Sequence, residues 1–307
     1  AQAASYTVSD DGLTYTFTLR DGLKWSDGSA ITAEDFVYSW NRAISPDTAA
    51  DYEYMFEVID GYKDGKLNVT AVDEKTLEVK LIASTPYFLE LCAFPTYFPV
   101  QKATIEANGE NWATDPATYV SNGPYVLKEW VHKSYMLYTK NENYWNHDAL
   151  GPDEIKFVLM EDDNAQLSAY ETGELVMIDG IPNDEITALS AQKDFYKEGQ
   201  LGTYYVSYNT QNEFLKDPLV RKALTLALDR KYICEQIGQA GQVPAGAFVA
   251  MGLTDVDPTK EFRDVGGDFF DANDYEGSLE LAKQALADAG YPNGEGLPTF
   301  EYLYNED

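Results

Sequence analysis

The sequence predicts a mixed α/β protein of about two domains, with length enough for a third. Its 307 residues exceed the usual size of one domain, and 44% of them are hydrophobic, which is enough for extensive cores. Short strand patterns alternate with amphipathic helix patterns along the chain. The segment TYTFTLR at 14–20 alternates apolar and polar residues, as a half-buried strand does. Residues 278–289 carry a helical apolar stripe, and Gly290 closes that helix.

The stretch LRDGLKWSDGSAITAEDFVYSWNR at 19–42 places a tryptophan between two tight turns and then begins a helix. Asp-Gly and Asp-Gly-Ser sequences favour the turns, which leaves Leu23 and Trp25 room for a short strand. Thr32 has the position and the hydroxyl of a helix N-cap. Helical spacing puts four apolar residues on one face: Phe36, Val37, Trp40 and Ala43. We therefore predict a structural clasp with Trp25 buried between hairpin and helix, serving the fold rather than chemistry.

Further patterns continue to residue 160. They predict a hairpin at 67–82, a short apolar helix at 86–94, an extended segment at 95–99, a strand at 121–130 with a partner strand through Tyr135, Leu137 and Tyr138, and an apolar strand at 154–160. Short strands are followed by a helix pattern at Gln166 to Thr172, with Gly173 as its C′ residue. This alternation predicts that residues 102–201 form a mixed sheet with helices against it.

The remaining patterns predict a short buried strand at 175–178, a second alternating segment at 204–209, and a last strand at 299–304. Between them, Asp217 and Pro218 open an amphipathic helix as its N-cap and first residue. An unpaired strand at a terminus would expose an open edge that invites aggregation. We therefore expect the chain to be cut from a longer protein.

The charge narrows the classes of partner. Lys and Arg total 22 while Asp and Glu total 52, so the formal net charge is −30. Nucleic acids and anionic membrane surfaces both need a basic footprint and are excluded as expected partners. The 23 Tyr, 14 Phe and 5 Trp suit a binding surface, although secreted β-rich domains are often rich in Tyr without one. No apolar run approaches the ~20 residues that cross a bilayer.

The search for catalytic or metal motifs is mostly negative. G-x-S-x-G, phosphate loops, dinucleotide glycine runs and H-E-x-x-H do not occur. His132 and His147 flank a predicted hairpin and are expected in exposed loops, and Cys92 and Cys234 are expected as buried free thiols rather than a disulfide. The acidic stretch at 264–277 could hold Ca²⁺, but its spacing does not fit an EF-hand, so a solvated loop is favoured. We expect no metal and no cofactor.

Four stretches carry a family resemblance. They are YTFTLRDGLKWSDGSAITAEDFVYSW at 15–40, SNGPYVLKEW at 121–130, ETGELVMI at 171–178 and YNTQNEFLKDPLVRKALTLALDRKYI at 208–233. In these stretches and their order, the chain resembles the family 5 solute-binding proteins, the oligopeptide and dipeptide capture subunits of ABC importers. The first stretch is close to a family signature, and the likeness runs over essentially the entire chain. Family members extend further at both ends.

The resemblance implies an α/β, periplasmic-binding-protein-like two-lobe clam-shell of class II type with an extra α+β domain, incomplete in this chain. Residues 1–101 would form the extra domain, 102–201 the middle part of the first lobe, and 202–307 the beginning of the second. The implied function is extracytoplasmic capture of peptides and their delivery to a permease. The implied protein is monomeric, is not an enzyme, and meets a membrane only through a lipid anchor that this chain lacks. It would lie in the periplasm or on the cell surface.

The resemblance also implies a set of ligand-binding residues: Tyr52, Asp179, Gly180, Ile181, Tyr204 and Tyr205. Tyr52 resembles a tyrosine that reaches the cleft from the extra domain. Asp179 to Ile181 follow the predicted strand at 175–178, where the first lobe offers backbone and side chain to the ligand. Tyr204 and Tyr205 lie where relatives place aromatic side chains at the crossing between lobes. Ordinary packing is the alternative for each tyrosine.

Other ligands and one other class of protein stay open. Relatives in the same family capture nickel complexes, haem or oligosaccharides, and the scarcity of histidine argues mildly against metal. A secreted glycan-acting enzyme would also suit the aromatic and acidic composition, since glycosidases use two carboxylates that flank the bond. The residues that grip a peptide's amino group in relatives fall outside the match, so we expect this chain alone to bind peptide poorly.

Overall fold

A computed structural model describes residues 1–304, which form two compact units. The N-terminal unit is Ala1–Met160, and the C-terminal unit begins at Glu161. Strands and helices both occur, so the predicted α/β class is confirmed. The finer division at 101/102 and 201/202 stays a prediction.

The N-terminal unit contains two sheets and three short helices. In chain order its elements are β1 (Ala3–Val8), β2 (Thr14–Leu19), α1 (Ala33–Ala43), β3 (Val69–Ala71), β4 (Thr76–Lys80), α2 (Phe88–Leu91), α3 (Lys102–Asn108), β5 (Tyr125–Val131), β6 (Tyr135–Lys140) and β7 (Glu154–Val158). The predicted hairpin at 67–82 is confirmed as β3 and β4. The predicted helix at 86–94 is only four residues long, and the segment predicted as extended begins with a 3₁₀ turn at Pro95–Tyr97.

The first sheet is antiparallel, in the order β1-β2-β4-β3, and one face of it covers the main core. Tyr15 pairs across strands with Val79, and Phe17 pairs with Leu77, so that alternate residues of β2 and β4 point inward. The largest fully buried side chains of this core are Trp25, Tyr97, Phe56, Phe88, Ile59, Leu81 and Val79.

The predicted clasp at 19–42 is confirmed. Trp25 is 1% exposed and packs in the main core. Helix α1 begins after Thr32, whose backbone N–H donates to a carboxylate oxygen of Asp35 at 2.7 Å. On the buried face of α1, the Trp40 indole N–H donates to the carbonyl of Tyr97 at 2.8 Å. The tight turns and the aromatic face of α1 thus cover one side of the core.

The second sheet, β5-β6-β7, is antiparallel throughout, so the mixed sheet predicted within 102–201 is wrong in this respect. Only three residues join β5 to β6, too few for the crossover that parallel pairing requires. The fully buried Asn141 fixes the end of β6, because its side-chain amide donates to the Gly123 carbonyl at 2.8 Å and its side-chain oxygen accepts from the Asn143 N–H at 2.9 Å.

The described part of the C-terminal unit is helical. Its elements are α4 (Asp163–Glu171), α5 (Ile186–Leu189), α6 (Pro218–Leu226), α7 (Arg230–Tyr232), which continues as a π-helical turn at Ile233–Gly238, α8 (Phe262–Gly266) and α9 (Tyr275–Asp288). Helices α6 and α9 share a small core of Ala223, Leu226, Ala282 and Ala285. The predicted caps are confirmed: Asp217 accepts from the Leu219 N–H at 2.8 Å, and Gly173 ends α4 with a φ of +78°.

Three predicted strands are wrong: residues 175–178, 204–209 and 299–304 are not paired as strands. Val176 is 93% exposed and Met177 78%, so the first of them is not buried either. A strand persists only where a neighbouring strand takes its backbone hydrogen bonds, and the described residues of the C-terminal unit offer no sheet to receive these segments. Across residues 1–304, no helix is long and apolar enough to span a membrane.

Candidate ligand site

Tyr52 lies at the start of a 3₁₀ helix, Glu53–Val58, in the N-terminal unit. Its ring is 49% exposed and stands edge-on to Phe94, with centroids 5.1 Å apart, while the Tyr54 ring lies 6.2 Å away. The helix beneath is anchored because Phe56 is fully buried and the Tyr97 hydroxyl donates to the Met55 carbonyl at 2.8 Å. Tyr52 is therefore the centre of a three-ring surface cluster on a fixed support.

Asp179, Gly180 and Ile181 follow α4 in an irregular segment rather than a strand. A β-carbon added to Gly180 would meet a carboxylate oxygen of Asp163, in the first turn of α4. The neighbouring atoms are the ends of the Asp163 and Gln166 side chains, so the segment runs beside the polar side chains of α4. Asp179 is exposed and Ile181 half-buried, so the segment presents one carboxylate and its backbone to solvent.

Tyr204 and Tyr205 lie in an extended, unpaired segment of the C-terminal unit. Tyr204 is 89% exposed and Tyr205 61%. Tyr205 stands edge-on to Phe248 with centroids 5.1 Å apart. The segment is tied to α6 a few residues later, where the hydroxyls of Tyr208 and Thr225 are hydrogen-bonded at 3.1 Å. The two tyrosines therefore offer ring faces to a ligand, with Tyr205 held by its contact to Phe248.

The structure assigns the six predicted residues to different units. Tyr52 belongs to the N-terminal unit, and the other five belong to the C-terminal unit. Phe94, Tyr54 and Phe248 join the candidate residues only through ring contacts. Aromatic abundance was the one sequence signal for them, and it did not single them out. The role of all these residues in binding stays a prediction.

Other reactive groups do not form a site. Within the part of the chain that the structure describes, no three His, Cys, Asp or Glu side chains are grouped to hold a metal. Both cysteines are free and partly buried, and burial raises the pKa of the Cys92 thiol to about 12. That thiol is therefore protonated and unreactive at neutral pH. In the acidic stretch, Asp268 is ion-paired with Arg263.

The two histidines differ from each other. His132 is exposed in the β5–β6 turn, as predicted, with its ring 4.3 Å from that of Trp130. His147 is instead half-buried in a 3₁₀ turn at His147–Ala149, 3.4 Å from a carboxylate oxygen of Glu142. The prediction of an exposed loop is wrong for His147 because the turn folds its ring back toward the preceding residues.

Comparison of the sequence with known proteins identifies the family of this chain. The pattern of the bacterial extracellular solute-binding proteins, family 5 (middle), matches residues 1–307. The oligopeptide-binding protein OppA of Bacillus subtilis (strain 168) is 35% identical over 318 residues, which cover 99% of this chain and 57% of that protein. The chain thus spans somewhat over half the length of such relatives.

Solved structures of oligopeptide-binding proteins are also similar to this chain. The oligopeptide-binding protein OppAIV of Borrelia burgdorferi is 34% identical and superposes with a TM-score of 0.84, over 97% of this chain and 59% of that one. Listeria monocytogenes OppA bound to peptide is 30% identical with a TM-score of 0.80, over 94% of this chain and 60% of that one.

Proposed function

The chain belongs to family 5 of the bacterial extracellular solute-binding proteins, and from that premise we propose that it is part of a protein that captures peptides for an ABC importer. The observation that carries the proposal is the likeness to peptide-bound Listeria monocytogenes OppA over 94% of this chain. The protein delivers its ligand to permease subunits, acts as a monomer and is not an enzyme. It works outside the cytoplasm, in the periplasm or as a cell-surface lipoprotein.

The exposed rings support a peptide ligand. At least about half of the surface of Tyr52 and of Tyr205 is exposed to solvent. The Tyr52 ring packs against Phe94, and the Tyr205 ring packs against Phe248. Such rings contact many different side chains with little loss of conformational entropy, which suits a ligand of variable sequence. The exposed carboxylate of Asp179 and the backbone beside it add polar partners for a peptide main chain.

The residues that we propose as ligand contacts are distributed over all three predicted parts of the chain. Tyr52 comes from the extra domain at 1–101, Asp179 to Ile181 from the first lobe at 102–201, and Tyr204 with Tyr205 from the second lobe at 202–307. Polar contacts with the ligand are strengthened wherever water is excluded from them. Because the chain spans 57% of its Bacillus subtilis relative, we propose that contacts outside these residues complete the site.

A panel of ligands tests the class of substrate. The protein as its gene encodes it is heated with mixed tri- to pentapeptides, a nickel–histidine complex, haem or oligosaccharides, and its unfolding is followed by fluorescence. Ligands that bind the native state raise the melting temperature. We expect a rise with peptides alone. A rise with one of the other ligands and none with peptides would replace the proposed substrate, and release of sugar from a glycan panel would replace the proposed class.

A further inference from the structure

The N-terminal unit contains an open cleft of about 480 Å³ that lies apart from the residues considered so far. One wall is the turn after β2, with Arg20, Gly22 and Lys24, and the other is the turn after β6, with Asn143, Tyr144 and Trp145. The two walls are joined because the Asn143 side-chain amide donates to the carbonyl of Ser26 at 3.2 Å. The volume lies within the range of small-molecule sites.

Arg20 is held in a fixed orientation in this cleft. Its guanidinium carbon lies 4.0 Å from the centre of the Trp145 ring, which is a cation–π contact. Its Nε donates to the carbonyl of Ala1 at 2.8 Å, and its backbone N–H donates to the carbonyl of Gln2 at 3.0 Å. These contacts occupy one planar face of the guanidinium and its Nε. They leave the two terminal nitrogens, which form the planar fork that binds a carboxylate through two bonds.

Among the described residues, the two cations of the cleft form no ion pair, although two carboxylates, Asp21 and Glu142, also line it. Across residues 1–304, Arg20 and Lys24 take part in no ion pair with a carboxylate. The nearby Asp21 is paired with Lys75 at 2.6 Å, and Glu142 lies 3.4 Å from His147.

We propose that this cleft binds a singly charged carboxylate with an apolar or aromatic body. The fork of Arg20 takes the carboxylate, the Lys24 ammonium adds a second positive charge, and the exposed parts of Tyr144 and Trp145 cover the body of the ligand. Asp21 and Glu142, which line the same cleft, offset the two cations, so a second negative charge on the ligand, as in phosphate, gains little attraction. The ligand is a free carboxylic acid or the carboxyl end of a peptide, and binding here does not depend on peptide capture at the candidate ligand site.

Binding is tested on the whole chain by following the indole N–H resonance of Trp145 by NMR, assigned with Trp145→Phe. The probes are benzoate and N-acetylphenylalanine, which models a peptide's carboxyl end, each beside its uncharged amide, and inorganic phosphate. We expect saturable shifts with the two carboxylates, weaker at high salt. The amides and phosphate should bind at least about tenfold more weakly, as loss of a charged hydrogen-bonded pair implies. The tighter of the two carboxylates identifies the source of the ligand.

Variants decide which residues are responsible. Arg20→Gln should abolish the shift, Arg20→Lys should weaken it because the fork is lost, and Lys24→Gln, at an exposed position, should weaken it without disturbing the fold. Lys63→Gln removes an exposed cation of the same unit outside the cleft and should leave binding unchanged. Equal binding of acids and amides, tighter binding of phosphate, no saturable shift, or full binding by Arg20→Gln and Lys24→Gln would each overturn the proposal.

Discussion

Replacing Trp25 with alanine should remove a large part of the stability of the N-terminal unit. Trp25 is 1% exposed in a core that also contains Phe56, Tyr97 and Phe88. A buried tryptophan removes roughly 200 Å² from water, which at about 25 cal/mol per Å² corresponds to about 5 kcal/mol. Alanine keeps part of that burial and the surroundings relax in part, so we expect a loss of about 3–5 kcal/mol in the free energy of unfolding.

The loss is measured by urea denaturation followed by far-ultraviolet circular dichroism, which does not depend on the tryptophan signal. Trp25→Phe, which retains most of the aromatic volume, should lose clearly less than Trp25→Ala. Tyr87→Ala, at a 53% exposed ring of the same unit, should change the free energy by about 1 kcal/mol or less. An unchanged denaturation midpoint for Trp25→Ala would mean that the residue lies at the surface and that the clasp does not close the core.

Three further predictions concern buried groups. Asn141→Ala should cost about 1–3 kcal/mol in urea denaturation, because the Gly123 carbonyl and the Asn143 N–H lose their partner; full stability would show that water replaces the amide. Burial raises the pKa of Asp35 above its ordinary value of 3.8, against the opposing hydrogen bonds from Thr32. Its folded pKa then exceeds its unfolded pKa, so the wild type loses stability as the pH rises through the raised value. Asp35→Asn does not titrate and should gain stability relative to wild type between acidic and neutral pH, whereas a pH-independent difference would contradict the shift. Ala285→Phe should overpack the contact of α6 with α9 and cost about 1–3 kcal/mol of C-terminal unit stability; an unchanged melting temperature of that unit would contradict the packing.

The fold was predictable where local signals and tertiary partners agree. The turns around Trp25, the cap at Thr32 and the Asp217–Pro218 helix start all depend on neighbouring residues, and the structure contains all three. The strand at 175–178 was predicted from a short apolar run, and the strand at 204–209 from side-chain periodicity. Periodicity shows which face a strand would bury, but it does not show whether another strand is available to pair with it.

The candidate ligand residues came from family resemblance, and physical reasoning on the sequence could not have supplied them. Tyr205 meets Phe248 and Tyr52 meets Phe94 across 43 and 42 positions of chain. Such contacts arise from tertiary folding, and in a chain with 14 Phe no local pattern separates these two from the rest. Sequence reasoning could not find the cleft at Arg20 either, because the residues of its second wall, 143–145, follow Arg20 by more than a hundred positions.

The central claim is that these 307 residues supply part of a peptide site, and calorimetric titration of a tri- to pentapeptide mixture tests it most directly. For the protein as its gene encodes it, we predict micromolar or tighter binding. Tyr205→Leu should weaken that binding by about tenfold or more, as loss of an aromatic anchor does, while Tyr196→Leu, at another highly exposed tyrosine of the same unit, should not. Residues 1–307 alone should bind more weakly than micromolar. Absence of peptide binding by the gene-encoded protein, or equal binding by Tyr205→Leu and wild type, would contradict the account.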